Sequence, residues 1–397
     1  MKYRIDTRSG NKLSILGFGC MRYPRTLGRI DMQKTEELIM CSINNGVNYF
    51  DTAWVYPGSE ETLGAILEKN QARNKIYIAT KLPLIMLKSP MDFDRYFSQS
   101  LERLKTDYAD YYLLHMLTDF EQWTKLKNWG IEKWITEKKQ SGCIKRIGFS
   151  FHGAQNDFLK IIDDYDWEFC QIQYNYSDKN FQAGVKGLQA AALKMPVVIM
   201  EPLLGGKLAN GLPKDAVKIF NNADKNLSPA AWGLNWVWNQ REVTLLLSGM
   251  SSMEQLEENL RLADKADADM LGEKDLSVYT EVLEIINRSY KIHCTGCNYC
   301  MPCSKGVNIP GCFTAYNTLH SLGYVLGMHQ FVTSTGLFSE KGGEPSHCIK
   351  CGKCESHCPQ HIEIMKQLVV VRKRMEPWWL RFGGACGRFF LGKKRKK

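Results

Sequence analysis

Eight of the fourteen cysteines in this 397-residue chain lie in two short runs, "CTGCNYCMPC" from residue 294 and "CIKCGKCESHCP" from residue 348. The second run has the spacing Cys-x2-Cys-x2-Cys-x3-Cys-Pro, and the first differs by one residue in its last gap and by a serine in place of the proline. The spacing of the second run is that of bacterial iron–sulfur proteins. Zinc sites also use Cys-x2-Cys pairs, and a single cluster in the second run is a further alternative. Quartets rather than pairs favour two [4Fe-4S] clusters.

In the two-cluster pattern, the last cysteine of each run ligates the cluster of the other run. Such crossed ligation divides the eight thiolates into two predicted sets. One predicted cluster is held by Cys294, Cys297, Cys300 and Cys358. The other is held by Cys348, Cys351, Cys354 and Cys303.

Four polar side chains follow apolar runs earlier in the chain: Asp51 and Tyr56 after one run, and Lys81 and His115 at the ends of the next two. A phenol has a pKa near 10 and is a poor acid at neutral pH unless its anion is stabilised. A lysine cation beside the phenol lowers that pKa, and a carboxylate fixes the lysine. An imidazole can orient the carbonyl oxygen that receives the proton. These residue types are the set that reduction of an aldehyde or ketone by hydride requires.

The apolar runs themselves predict the elements that position these side chains. Helix signals between the runs include Ser59, Ser228 with Pro229, and Ser252 with Gln255. Strands are predicted at residues 14–21, 48–53, 75–81, 110–116, 145–150, 168–175, 196–202 and 242–249. Eight strands, each followed by a helix, predict an α/β fold, a (β/α)8 TIM barrel with its chemistry at the C-terminal strand ends. An open doubly wound sheet is the alternative, but no G-x-G-x-x-G follows the first strand.

The stretches "NYFDTAWVYPGSEETLG", "IATK" and "YYLLHM" resemble signatures of the aldo-keto reductase family, and the resemblance extends from about residue 13 to residue 259. It implies an NADPH-dependent carbonyl reductase with Tyr56 as the proton donor. Lys81 and Asp51 would tune this donor, and His115 would orient the substrate.

The resemblance also implies a cofactor site. By position, its residues would be Ser150, Gln173, Leu203, Gly205, Lys207, Ser251, Gln255, Glu258 and Asn259. The segment from Leu203 to Lys207 would line the pyrophosphate. Three positions depart from the family pattern: Phe151 replaces an asparagine, Met200 replaces a stacking tyrosine, and Gln255 stands where many members have an arginine for the 2′-phosphate. NADP(H) is therefore the family default, and a bound flavin is an alternative.

Between the cysteine runs, the stretch "CFTAYNTLHSLGYVLG" predicts a helix. The runs and this spacer resemble the helical ferredoxin-type domain of a reductase subgroup that is found mostly in anaerobes. We therefore predict a barrel over residues 1–285, a small, mainly helical iron–sulfur domain over residues 286–370 and a basic aromatic tail over residues 371–397.

Basic residues are concentrated in the tail, where ten Lys/Arg stand against one Glu in a chain of formal net charge +10. The tail is predicted to be a solvated end, to touch an anionic membrane surface, or to bind an acidic partner such as ferredoxin or flavodoxin. No other basic patch suggests nucleic acid. The N-terminus lacks the apolar segment of a signal peptide, and no apolar run is long enough to span a bilayer, so a cytoplasmic protein is expected.

The sequence thus predicts an iron–sulfur oxidoreductase that reduces a small carbonyl substrate, or catalyses the reverse reaction, with clusters that relay electrons or connect to a redox partner. Nicotinamide delivers two electrons as hydride whereas a cubane passes one at a time, so direct coupling would normally need a flavin. The alternative is an NADPH-binding redox sensor similar to the potassium-channel β subunits, or an electron-transfer subunit, with little carbonyl turnover.

Overall fold

The structure is a computed structural model that describes residues 1–223, 225–288, 290–294, 296, 300–337, 342–358, 360–377 and 380. The predicted cluster ligand Cys297 lies outside the described residues. So do positions 378–379 and 381–397 of the tail, including the aromatic side chains expected to meet a membrane surface.

Eight parallel strands form a closed barrel and neighbour one another in chain order, which confirms the predicted fold. With strands numbered along the chain, they are β3 (Leu16–Gly19), β6 (Tyr49–Asp51), β7 (Tyr77–Pro83), β8 (Ala109–Leu117), β9 (Ile144–Phe151), β10 (Phe169–Gln173), β11 (Val197–Met200) and β12 (Leu245–Ser248). Two hairpins accompany them: β1 (Tyr3–Ile5) with β2 (Lys12–Ser14), and β4 (Arg25–Thr26) with β5 (Arg29–Ile30).

An aromatic layer fills the barrel near the N-terminal ends of the strands. The ring of Tyr111 contacts those of Tyr49 and Phe169 at centroid distances of 5.1 and 5.0 Å. The Tyr111 hydroxyl donates a hydrogen bond to Asp6 Oδ2 at 2.7 Å, so the β1–β2 hairpin closes this end of the barrel. The opposite, C-terminal ends of the strands are therefore the ends that remain for chemistry.

Helices surround the barrel. They are α1 (Met32–Asn44), α2 (Ser59–Lys69), α3 (Asp92–Leu104), α4 (Phe120–Asn128), α5 (Ile131–Gln140), α6 (Gln155–Asp164), α7 (Gly184–Ala192), α8 (Lys207–Asn210), α9 (Lys214–Asn222), α10 (Pro229–Trp238), α11 (Met253–Lys265) and α12 (Glu273–Arg288). Short 3-10 turns lie at Cys20–Arg22, Arg73–Lys75, Leu84–Met86, Leu204–Gly206, Pro345–His347 and Glu355–His357.

Two of the three predicted helix caps are confirmed. The side chain of Ser228 accepts from the Ala231 N–H at 3.0 Å, and that of Ser252 accepts from the Gln255 N–H at 3.4 Å. The prediction for Ser59 is wrong, because α2 begins at this residue and is preceded by a left-handed Gly58. The Ser59 hydroxyl is 2.8 Å from Thr52 Oγ1 and donates to the Cys20 carbonyl at 2.9 Å, so it ties two strand ends together instead.

The C-terminal part of the chain is a helical module with its own apolar core. Its helices are α13 (Ile309–Ser321), α14 (Tyr324–Thr335) and α15 (Ile364–Met375). The core contains Ile309, Phe313, Phe331, Ile364, Leu368 and Val371. Six of the clustered cysteines pack against it: Cys294, Cys300, Cys303, Cys348, Cys354 and Cys358.

The module packs directly on the barrel. Leu322 and Leu326, at the junction of α13 and α14, belong to the apolar cluster that surrounds the barrel strands. Gln330 of α14 donates from Nε2 to Asp178 Oδ2 of the barrel at 2.8 Å, with both side chains buried. The helical module therefore covers the loop that follows β10.

Helix α15 crosses the boundary at residue 370 that the sequence suggested for the tail. Val371 and Met375 are buried in the module core, so we propose that the module extends to the end of this helix. Among the described helices, none is both long enough and apolar enough to cross a membrane.

The buried contact between the module and the barrel predicts a pH-dependent stability. Burial raises the pKa of Asp178 from 3.8 to about 6, against the opposing hydrogen bond from Gln330. Because the folded pKa is the higher one, stability falls as pH rises from about 4 to 6 and is lowest where the carboxylate is charged. Asp178→Asn, whose amide oxygen can still accept from Gln330, should therefore raise the free energy of unfolding at pH 8 by about 1–3 kcal/mol.

Guanidinium unfolding followed by tryptophan fluorescence at pH 8 and pH 5 checks this prediction. The gain should be about half as large at pH 5, which lies midway between the unfolded and folded pKa values of this carboxyl. The exposed Asp107→Asn is the control and should change stability at neither pH. An equal gain from Asp178→Asn at both pH values would show that charge burial is not the cause.

Candidate active site and cluster-binding module

A buried ion pair lies at the C-terminal ends of β6 and β7. Lys81 is 1% exposed, and its Nζ donates to Asp51 Oδ1 at 2.6 Å and to the Thr52 carbonyl at 2.7 Å. A buried ammonium is tolerated only with partners of this kind. The pair fixes the lysine ammonium at the mouth of the barrel, where the strand-end positions predicted it.

Tyr56 and His115 lie beside this pair. The Lys81 Nζ is 5.3 Å from the centroid of the Tyr56 ring. The rings of Tyr56 and His115 meet edge to face at a centroid distance of 5.9 Å. The structure thus brings together the four side chains that the sequence singled out, on three neighbouring strands and the loop after β6.

The pKa of the Tyr56 phenol differs in direction from the sequence expectation. Burial raises it above its ordinary value of 10, and the negative charges of Asp51 and Glu201 add to the rise. Asp51 offsets the charge of Lys81, so the ammonium does not produce the expected net lowering of the Tyr56 pKa. Burial, then Lys81 and His152, lowers the pKa of His115 well below 6.5. The phenol therefore holds its proton and the imidazole is neutral at pH 7.

Two residues expected at the nicotinamide end are buried at neighbouring strand ends. Ser150 Oγ on β9 accepts from the Met116 N–H at 2.9 Å. Gln173 on β10 is buried, and its Nε2 has no hydrogen-bond partner among the described residues. An orphaned buried amide donor is costly unless a ligand satisfies it. A carboxamide oxygen is such an acceptor, so this part of the site fits nicotinamide.

The loop after β11 has the backbone that an anion site needs. Leu204, Gly205 and Gly206 all have positive φ (46°, 63° and 88°), and successive N–H groups in such conformations can surround a phosphate. Lys207 is exposed at the end of this loop. This arrangement fits the pyrophosphate expected along Leu203 to Lys207.

Sequence reasoning missed Arg22, which lies at the same loop. A Cβ placed on Gly205 would come within 2.8 Å of Arg22 Nη2, and the same nitrogen is 3.8 Å from Glu201 Oε1. Arg22 is also the cation that opposes the rise in the Tyr56 pKa. It follows the end of β3, so the strand-end rule that identified Asp51 could have found it.

The residues expected at the adenine end gather at the start of α11. The N–H and Oγ of Ser251 donate to Gln255 Oε1 at 2.9 and 3.3 Å. Asn259 is buried and donates to Ser248 Oγ at 3.0 Å, while Glu258 is partly exposed. Gln255 is thus engaged in a local cap, in the place where the family pattern would put a cation.

A cavity of about 350 Å³ in the C-terminal module is lined by five cysteines: Cys300, Cys303, Cys348, Cys351 and Cys354. Four of them, Cys348, Cys351, Cys354 and Cys303, are one of the two predicted ligand sets. This arrangement supports crossed ligation. The remaining described members of the other set, Cys294 and Cys358, do not line this cavity.

The donor chemistry of this cavity fits a cluster better than a single ion. Among the described residues, no three His, Cys, Asp or Glu side chains come close enough together to hold one metal ion. A tetrahedral zinc site would bring four ligands to a single centre, whereas a cubane separates its thiolates more widely. A wide cavity with thiols on its walls is the arrangement that a cubane requires.

With this geometry established, similarity to known proteins identifies the chain. Residues 15–274 match the aldo/keto reductase family, and residues 293–363 match a 4Fe-4S dicluster domain. The first match covers most of the chain, which therefore belongs to the aldo/keto reductase family and is an oxidoreductase of that type. The second gives it a C-terminal 4Fe-4S domain.

Relatives of known identity match the barrel. The chain is 26% identical to L-galactose dehydrogenase of Arabidopsis thaliana over 314 residues, covering 72% of this chain and 95% of that protein. It is 33% identical to a probable voltage-gated potassium channel subunit beta of the same plant over 306 residues, covering 66% and 92%. The aldo-keto reductase AKR11C1 of Bacillus halodurans superposes with a TM-score of 0.58 at 24% identity, covering 71% and 96%, and shares the fold.

Proposed function

We propose that the protein reduces a small aldehyde or ketone with NAD(P)H, or catalyses the reverse reaction, and that Tyr56 is the proton donor. One observation carries this proposal. Tyr56 and His115 meet edge to face at 5.9 Å beside a lysine ammonium that is fixed by Asp51 at 2.6 Å. This is a site that can hold a carbonyl oxygen and deliver one proton to it.

The proposed roles follow from the charges of the four residues. Nicotinamide, when bound, supplies the hydride. The Tyr56 hydroxyl, protonated because of its raised pKa, donates a proton to the carbonyl oxygen as negative charge develops there. Lys81 stabilises the phenolate that remains, and Asp51 holds Lys81 in place. His115, neutral at pH 7, donates a hydrogen bond from its ring N–H that orients the carbonyl oxygen.

Three groups of residues would hold the dinucleotide. The unsatisfied amide of Gln173 and the hydroxyl of Ser150 suit the carboxamide. The backbone of the loop from Leu203 to Lys207, with Arg22 beside it, suits the pyrophosphate. The start of α11 suits the adenosine. NADP(H) is the dinucleotide that we propose, because it is the usual cofactor of the family.

The iron–sulfur module is proposed to bind two [4Fe-4S] clusters through the crossed sets of cysteines. The clusters, when bound, exchange single electrons. A flavin would be the chemical link to hydride transfer, and an external partner such as ferredoxin or flavodoxin would be the alternative destination of the electrons.

A second candidate function is supported by the 33% identity to a potassium channel β subunit. In that case the barrel would bind NADPH and respond to redox state with little turnover. The two functions differ in whether a carbonyl substrate oxidises bound NADPH on the catalytic time scale.

Anaerobic purification followed by stopped-flow kinetics tests the proposal. The absorbance spectrum, with iron, sulfide and flavin analysis, measures cluster content and any flavin. NADPH is then mixed with the protein and a panel of aldehydes and ketones. Multiple turnovers with at least one carbonyl compound support the reductase, whereas slow oxidation of no more than one equivalent supports the sensor.

The proposed proton donor also predicts the pH profile of carbonyl reduction. Because the pKa of Tyr56 is raised above 10 and that of His115 is lowered below 6.5, neither group changes its protonation between about pH 6.5 and 9. The kcat/KM for reduction should therefore be flat over this range, and alcohol oxidation should increase toward higher pH. A break near pH 7 to 8 in kcat/KM for reduction would contradict these assignments.

A further inference from the structure

The iron–sulfur module has an inner end against the barrel. A Cβ placed on Gly296 would lie 3.3 Å from Asn180 Cβ, so the first cysteine run touches the loop after β10. Cys294 and Asp178 line one polar cavity of about 180 Å³ between this loop and the module. The first run is therefore the part of the module that faces the barrel.

The second run lies at the outer end. Cys351 is an exposed cysteine on the wall of the 350 Å³ cavity, and Ile349 beside it is 59% exposed. A one-electron carrier must approach a cluster closely, and an exposed ligand with an apolar neighbour is the kind of surface that permits such an approach. A carrier in solution can reach this end more easily than the end against the barrel.

The rim of the outer end is positively charged. Lys305 and Lys353 line the cavity, and Lys350 precedes Cys351 in the second cysteine run; all three are exposed. Among the described residues, no Asp or Glu lines the cavity. In the described part of the chain, none of the three forms an ion pair with a carboxylate. Lys366 on the neighbouring helix, by contrast, is paired with Glu363 at 2.8 Å. The three charges are thus available to a partner.

We propose that Lys305, Ile349, Lys350 and Lys353, here called the lysine face, dock an acidic one-electron carrier protein. The inference rests on the proposed function, in that the cavity behind the face must hold a cluster. One electron passes between the carrier's redox centre and that cluster, so one gains what the other loses, and no bond or proton is exchanged. The apolar Ile349 provides contact area, and the lysines provide attraction and orientation.

Charge reversal on the lysine face tests the inference. The variant carries Lys305→Glu, Lys350→Glu and Lys353→Glu, and the matched control carries Lys75→Glu, Lys186→Glu and Lys214→Glu on the barrel. All six lysines are exposed, so both variants change the net charge equally. The anaerobic holoprotein is mixed with pre-reduced flavodoxin, an acidic one-electron carrier, and the rate of formation of its flavin semiquinone and the yield of carbodiimide cross-links are measured.

The wild-type rate should fall with increasing salt. At low salt the lysine-face variant should react at about one tenth of the wild-type rate or more slowly still, and its cross-links should be lost. The rate of the control should stay within about twofold of the wild-type rate. A triple variant with Gln in place of the three lysines should react at a rate between those of the lysine-face variant and the control. Reduced methyl viologen, a small cation, should reduce the variant's cluster no more slowly than that of the wild type, which shows that the cluster itself is intact.

Equal rates in the variant and the control, or a wild-type rate that does not depend on salt, would overturn the docking surface. So would binding of the wild type to anionic vesicles that the variant loses, because the face would then meet lipid. Absence of iron and sulfide from the wild type would instead overturn the cluster part of the proposed function. The two failures are therefore distinguishable.

Discussion

Tyr56→Phe is expected to lower kcat for carbonyl reduction by about 10²–10⁴-fold, the contribution typical of a positioned general acid. The substitution removes the hydroxyl proton and leaves a ring of the same shape against His115 and Lys81. Because the hydroxyl is proposed to contact the carbonyl oxygen of the substrate and not the dinucleotide, NADPH affinity should change little. Stopped-flow turnover and fluorescence titration of NADPH measure the two quantities separately.

Tyr77→Phe is the matched control for this substitution. Tyr77 begins β7, the strand that ends near Lys81, and its ring packs on Tyr111 in the layer at the closed end of the barrel. It also loses one phenolic hydroxyl, but far from the mouth. Its turnover should stay within about twofold of the wild type. If Tyr56→Phe kept wild-type turnover, another group would be the acid and the proposed role of the tetrad would be wrong.

The four residues at the mouth could be predicted because position along a parallel strand determines which end of a barrel a side chain meets. Asp51 ends β6, and Lys81 and His115 lie near the ends of β7 and β8, so closure of the barrel brings them together. The direction of the Tyr56 pKa shift could not be predicted in this way. It depends on how much water is excluded and on Glu201, neither of which is visible in a motif.

In the iron–sulfur module, too, some features could be predicted from the sequence and others could not. Cysteine spacing indicated the clusters and the crossed sets, since ligand spacing is a local property of the chain. The way the module packs on the barrel depends on side chains with no motif, such as Gln330, which reaches the buried Asp178 at 2.8 Å. No motif marks the lysines of the cysteine loops, and only the exposure of Cys351 beside them suggests a role for them.

Two double cysteine substitutions, one within the first run and one across the two runs, are expected to distinguish crossed from uncrossed ligation. Cys303→Ala alone should lower the iron content from about eight to about four per chain, because one cubane loses a ligand. Under crossed ligation, Cys303→Ala with Cys351→Ala should lose no more iron than Cys303→Ala alone, since both residues would ligate the same cluster. Cys303→Ala with Cys294→Ala should lose both clusters.

Uncrossed ligation predicts the reverse pattern for the two double variants, so one iron and sulfide assay of anaerobically purified protein decides between them. Cys143→Ala, on the barrel before β9, is the control and should keep both clusters. The expectation rests on the cavity that Cys303 shares with Cys348, Cys351 and Cys354. Iron losses from two ligands of one cluster do not add, whereas losses from ligands of separate clusters do. The double variants therefore measure directly which cysteines share a cluster.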